Sequence, residues 1–135
     1  MASVNSYNQL KIGLIGCGKW GKYILRDLVN LGSTVYTVAR SKSSIQNARD
    51  GGSYKIVDEV EKLALIDGAI VATPTKTHFE IILKLLPLNI PIFVEKPFTD
   101  CIQELEILKS HADKIFVMDK WRYHQGILKL RQIEA

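Results

Sequence analysis

Apolar residues arrive along this chain in short runs separated by longer amphipathic stretches, the rhythm of strands alternating with helices. Lys11-Ile12-Gly13-Leu14-Ile15 is an apolar run that ends on glycines, and from Trp20 the apolar positions recur at Ile24, Leu28 and Leu31. That predicts strand, turn and helix, with Gly32 closing the helix. Thr34 to Ala39 is rich in β-branched and aromatic residues and predicts a second strand. A polar helix from Ser43 to Asp50, a short strand near Tyr54 to Val57 and a helix from about Asp58 to Leu65 follow. Gly68-Ala69-Ile70-Val71-Ala72 reads as a buried strand. Thr77 and Glu80 then have the spacing of a capping box, and the helix they open carries Phe79, Ile82, Leu83 and Leu86 on one face, with Pro87 limiting its end. Pro91 to Val94 predicts a further strand. Asp100 and Gln103 are placed to cap a helix whose Cys101, Leu105, Leu108 and Ala112 share a face, which puts Cys101 in the core. Lys114 to Met118 predicts the last strand, and Gln125 to Glu134 a helix with Ile127, Leu130 and Ile133 three residues apart.

Strands that alternate with helices predict an α/β fold: a doubly wound, mainly parallel sheet covered on both faces. A chain of 135 residues, 47% hydrophobic and 24% charged, suits one such domain. The expected organisation is a tail over residues 1–10, the sheet domain over 11–120 and a connecting helix over 121–135. No segment has the basic start of a leader peptide or the apolar length of a membrane span, so the expected location is cytoplasmic, with no membrane partner. Cys17 and Cys101 form no metal-like or CxxC spacing, which fits reduced thiols. The net charge of +4 is not gathered into a block with interleaved aromatics, so no nucleic-acid partner is expected. A pyrophosphate-containing cofactor accounts for the same bias.

Gly16-Cys17-Gly18-Lys19-Trp20-Gly21 fits GxGxxG. The pattern alone is common. Between a predicted strand and a predicted helix, however, each glycine serves a distinct physical purpose. Gly16 makes the tight turn, Gly18 lets the backbone approach a pyrophosphate, and Gly21 lets the helix lie close on the strand. The helix start presents free N–H groups to the anion, so Gly16, Gly18, Lys19, Trp20 and Gly21 form the expected cofactor turn of a Rossmann-type domain. At the end of the second strand an acidic residue would favour NAD, yet none lies between Ser33 and Arg49. Arg40, Ser41 and Lys42 stand there instead, and either form a solvated basic loop or hold the 2′-phosphate of NADP. NADP is therefore favoured over NAD.

Thr73-Pro74 and Glu95-Lys96-Pro97 end two further strands. In an open parallel sheet all such ends lie on one side, so these residues converge with the glycine turn on one crevice. Lys96 is then either part of a surface ion pair or, partly desolvated beside a cofactor, a proton donor and acceptor with Glu95 tuning it. His78, near a helix start, fits packing or capping better than catalysis. Cys17, beside the same helix start, has a place where a thiol is made somewhat acidic, although packing suits it better.

Three segments together resemble the glucose-fructose oxidoreductase and inositol dehydrogenase (Gfo/Idh/MocA) family: Ile12 to Gly21, Val71-Ala72-Thr73-Pro74-Thr75-Lys76-Thr77-His78, and Phe93-Val94-Glu95-Lys96-Pro97. The resemblance runs through Trp121-Arg122-Tyr123-His124. It implies that Lys96 is the catalytic residue, assisting proton transfer at a substrate hydroxyl. It also implies that Thr73, Pro74, His78 and Glu95 border the cofactor, that Trp121 and Arg122 contact it, and that substrates are sugars, cyclitols or their derivatives. Members of the family continue into a second, substrate-holding domain, for which this sequence has no counterpart. The expected activity is accordingly hydride transfer by an incomplete unit, or, as an alternative, a non-enzymatic NAD(P)-binding sensor. A second chain or a homo-oligomer is expected to cover the C-terminal helix.

Overall fold

The structure, a computed structural model, describes residues 10–63, 65–120 and 124–133. Six strands form one sheet, all parallel: β1 (Lys11–Ile15), β2 (Thr34–Val38), β3 (Lys55–Val57), β4 (Gly68–Val71), β5 (Ile92–Glu95) and β6 (Ile115–Met118), in the order β3-β2-β1-β4-β5-β6. The helices are α1 (Gly21–Asn30), α2 (Lys42–Asp50), α3 (His78–Leu85), α4 (Ile102–Leu108) and α5 (Gln125–Ile133). This is the doubly wound, Rossmann-type arrangement that the alternation predicts.

Period-two alternation sorts the strand side chains onto two faces. Leu14 and Val35 meet Leu25 of α1 and Ala48 of α2 on one face. Ile15, Val38, Ile92 and Val94 meet Ile82 and Leu85 of α3 and Leu108 of α4 on the other. The stripe on α3 is rotated from the one that the sequence suggests: His78, Ile82 and Leu85 are buried and Leu83 is exposed. Because the helix begins on a buried histidine, its inward positions run i, i+4, i+7 from that residue.

Two caps differ as well. Thr77 makes no cap bond to the helix; its hydroxyl pairs at 2.7 Å with Thr73 Oγ1 and with the Pro74 carbonyl, because a 3-10 turn (Thr75–Thr77) precedes α3 and turns that side chain back. At α4 neither Asp100 nor Gln103 caps; Thr99 Oγ1 accepts the Cys101 N–H and bonds Glu104. Cys101 is thus a half-buried cap residue rather than part of the core.

The helix expected from Asp58 to Leu65 is a single 3-10 turn, Val60–Lys62. The ten residues between Val57 and Gly68 must cross three strand spacings, about 14 Å, while also returning along the sheet. Ten residues coiled as α-helix span only about 15 Å, so the described residues there take a single turn, with Glu59 and Leu63 extended on either side of it and Val60 buried.

At the parting of the sheet α1 sits unusually close to β1. A Cβ added to Gly21 would collide with the Gly16 carbonyl, and one added to Gly16, where φ is +94°, would meet the Ala72 carbonyl and Thr73 Cγ2 at 2.8 Å. Gly21→Ala is expected to destabilise the chain by about 1–3 kcal/mol through backbone overpacking, read as a lower urea midpoint with an unchanged m-value.

Candidate nucleotide site

β1 runs outward to β2 on one side and β4 begins the other half of the sheet, so the crevice lies above the C-terminal ends of β1 and β4. Gly16 turns there with its N–H on the Val38 carbonyl at 3.0 Å, and Gly18 follows with no atom within 4 Å of where its Cβ would be. That open space is the cradle that a side chain would fill, and a phosphate group fits it in the side chain's place. A cavity of about 440 Å³ opens from this turn, within the size range of cofactor sites. Gly16, Cys17 and Gly18 line it, as do Arg40, Ser41, Thr73 and Pro74.

Arg40 is exposed, with its Nε donating to the Asp58 carbonyl at 2.9 Å. Its terminal nitrogens have no protein partner among the described residues, and the residue lines the cavity. Asp58 itself is occupied: the hydrogen-bonded Lys62 ammonium, 2.7 Å away, holds its carboxyl below the ordinary range, with Arg40 adding a smaller pull. Ser41 Oγ accepts the Ser44 N–H as the cap of α2. Lys42 and Lys19 are exposed and line neither this cavity nor the one described next.

A second cavity, about 290 Å³, lies beyond Thr73 and is lined by Trp20, Glu95, Lys96 and Met118 together with Ala72 and Thr73, which both cavities share. Trp20 therefore stands on the Lys96 side of the crevice, 66% exposed, rather than among the glycines. Lys96 is exposed, so the partial desolvation expected from its position is not supplied by the described residues. Glu95 does not pair with its ammonium; Glu95 Oε2 accepts the Lys96 backbone N–H at 3.0 Å. The Lys96-Pro97 peptide is cis.

His78 is only 1% exposed and lies beneath the crevice, not on its wall. Its Nε2 is 2.8 Å from the Thr73 carbonyl and its Nδ1 3.0 Å from the Phe98 carbonyl, so it ties the loop after β4 to the loop after β5. Trp121 and Arg122 fall outside the described residues. Cys17 is fully buried, and burial pushes its thiol up, opposite to the acidification expected at a helix start. Sequence reasoning missed Val60, Glu80, Ile81 and Lys84, which also line the first cavity, and Lys84 pairs with Glu61 at 2.8 Å. Ile81 leaves a trace in the sequence, as an apolar residue off the buried stripe of α3.

A parallel sheet that parts between two strands, with a helix opening on glycines at the parting, is the arrangement that seats dinucleotides in doubly wound folds, and this chain is of that class. Residues 10–118 match the Gfo/Idh/MocA oxidoreductase family, described by its NAD-binding Rossmann fold, and the chain belongs to that family. It is 26% identical over 125 residues to the rhizopine catabolism protein MocA of Rhizobium meliloti, covering 88% of this chain and 37% of that protein. It is 33% identical over 115 residues to scyllo-inositol 2-dehydrogenase (NAD(+)) of Bacillus subtilis, covering 80% of this chain and 33% of the relative. Among solved structures, myo-inositol dehydrogenase from Lactobacillus casei, in complex with NAD(H) and myo-inositol, superposes with a TM-score of 0.82 at 24% identity, over 91% of this chain and 40% of the other. The chain thus spans roughly two fifths or less of the length of these proteins. Among the described residues, no helix is long and apolar enough to cross a membrane.

Two results are expected at this site. Gly18→Ala, which meets no protein atom, leaves the unliganded chain within about 0.5 kcal/mol of wild type yet weakens NADH measurably in calorimetry. A disulfide exchange reagent at about pH 8 labels Cys101 and leaves Cys17 unreacted until denaturant is added, because burial both shields that thiol and opposes its ionisation.

Proposed function

We propose that this chain is the cofactor-binding part of an oxidoreductase that moves a hydride between a nicotinamide dinucleotide and a sugar- or cyclitol-like alcohol or ketone. The single observation that carries this reading is the wall of Ala72 and Thr73 common to the two cavities. A dinucleotide held by its diphosphate on the glycine turn has a continuous path across that wall to Lys96. The bound nicotinamide supplies the hydride acceptor or donor. Lys96, as the catalytic residue, takes the hydroxyl proton when the alcohol is oxidised and returns it to the oxygen when the ketone is reduced. Glu95, bonded to the Lys96 N–H, fixes the main chain from which that lysine projects. Inositol dehydrogenases among the relatives support the cyclitol class.

In this reading the cofactor is NADP more readily than NAD, with Arg40 pairing the 2′-phosphate. Arg40 suits that pairing because one nitrogen is anchored on the Asp58 carbonyl while the others stay available, and because the Asp58 carboxylate is itself paired with Lys62. Trp20, on the Lys96 side, borders the nicotinamide end. Lys96 is exposed among the described residues, so the chain as it stands binds cofactor but turns over little, since hydride transfer needs a substrate held in near-attack geometry.

A second reading, a dinucleotide sensor acting through a protein partner, is favoured by one feature. Phe93 and Phe116 stack at 5.1 Å on the sheet face opposite α3, where both remain exposed, and α5 carries exposed Leu130 and Ile133.

Calorimetry of NADPH and NADH with wild type and Arg40→Ala tests the cofactor assignment. NADPH is expected to bind the wild type more tightly and to lose about 1.5–3 kcal/mol on mutation, roughly tenfold to a hundredfold, while NADH changes little. Equal affinities in both proteins would remove Arg40 from phosphate recognition.

A further inference from the structure

Asn47 lies in the middle of α2, half-buried, away from both cavities, yet its Nδ2 donates to the Cys17 carbonyl at 2.9 Å across thirty residues of sequence. Cys17 is the second residue of the glycine turn. We propose that Asn47 is a positioning residue of the dinucleotide site, fixing the Cys17–Gly18 peptide so that the Gly18 N–H faces the seat of the pyrophosphate. The proposal rests on the cofactor-binding reading above.

The reason lies in peptide geometry. In a planar trans peptide the carbonyl and the following N–H point in opposite directions, and the only cis bond among the described residues is Lys96-Pro97. With the Cys17 carbonyl held toward α2, the Gly18 N–H is directed the other way. Gly18 lines the cavity and has open space at its Cα, and its N–H has no acceptor among the described residues. On the Gly18 side the reverse orientation meets little steric resistance, since φ of a residue without Cβ is widely permitted. Reversed, the peptide would present the partial negative charge of its carbonyl to a diphosphate. The Asn47 amide is a donor that only the useful orientation satisfies, and the energy of that bond biases the peptide before ligand arrives.

The same link joins the two ends of the cofactor site. α2 is capped by Ser41, next to Arg40, and carries Asn47 six residues further on, so one helix references both the adenosine-ribose end and the diphosphate turn.

ADP-ribose, which carries the diphosphate and survives mild acid, is the probe, added to the full chain and followed by calorimetry and by the amide spectrum. In wild type the Gly18 amide proton is expected to move downfield on binding. Asn47→Asp at about pH 7 presents a carboxylate that cannot donate, and ADP-ribose should weaken about tenfold with the Gly18 shift lost. At about pH 4, near the ordinary pKa of an aspartic acid, roughly half of that carboxyl is protonated and donates again, so affinity and shift should recover in part relative to wild type measured at the same pH. Adenosine, which lacks the diphosphate, should bind both proteins alike, and unliganded melting curves report the fold separately. Two results overturn the proposal: ADP-ribose affinity within about twofold of wild type in both Asn47→Asp and Asn47→Leu, or a loss that is independent of pH and extends equally to adenosine. Failure of wild type itself to bind ADP-ribose would overturn the cofactor reading from which the proposal starts.

Discussion

The close contact of the first helix with the glycine turn is the constraint on which the rest of the crevice depends. Gly21 begins α1 directly against the Gly16 carbonyl, a position no side chain can share. That approach brings the helix start to the mouth of the sheet, where free helix-start N–H groups are suited to an anion. It also lets Leu25, one turn on, reach the core formed by Leu14, Val35 and Ala48. Packing and ligand recognition therefore share one cause, and neither can be altered by a Cβ at Gly21 without the other.

Around that contact the division of the sheet arranges the remaining groups. The strand order turns between β1 and β4, and the ends of those two strands supply Gly16 on one side and Thr73 on the other. Arg40 arrives from β2 and Lys96 from β5, each one strand further out. Residues more than fifty positions apart in the chain thereby line adjoining cavities with a common wall. The bonds that hold these ends in place are mostly made to main-chain carbonyls: Arg40 to Asp58, Asn47 to Cys17, His78 to Thr73 and Phe98.

Much of this was legible in the sequence because local pattern and global fold agree. The first strand, turn and helix carry a glycine spacing that, between a strand and a helix, gives each glycine a distinct physical purpose, and the apolar runs ending at Val71 and Val94 are strands of the sheet, although Phe93 in the second stays exposed. Legibility failed where a tertiary requirement outweighs local pattern. Val60 and Leu63 have helical spacing, but the chain there must travel too far to coil. Thr77 and Glu80 look like a capping box, but the Thr73 and Pro74 oxygens claim the hydroxyl. Asn47 looks like one polar residue among many on a polar helix, and its partner cannot be inferred without the fold. The place of Lys96 directly after a strand was legible, whereas its exposure was not, because that depends on what packs over the end of β5.

The histidine buried under the crevice has a consequence for ligand binding. His78 lies between the carbonyls of Thr73 and Phe98 and lines neither cavity, so the spacing of the loops after β4 and β5 is set by an internal strut. An arriving nucleotide meets a mouth already cut to width, and the entropy that a hinged mouth would lose on closing has been surrendered at folding.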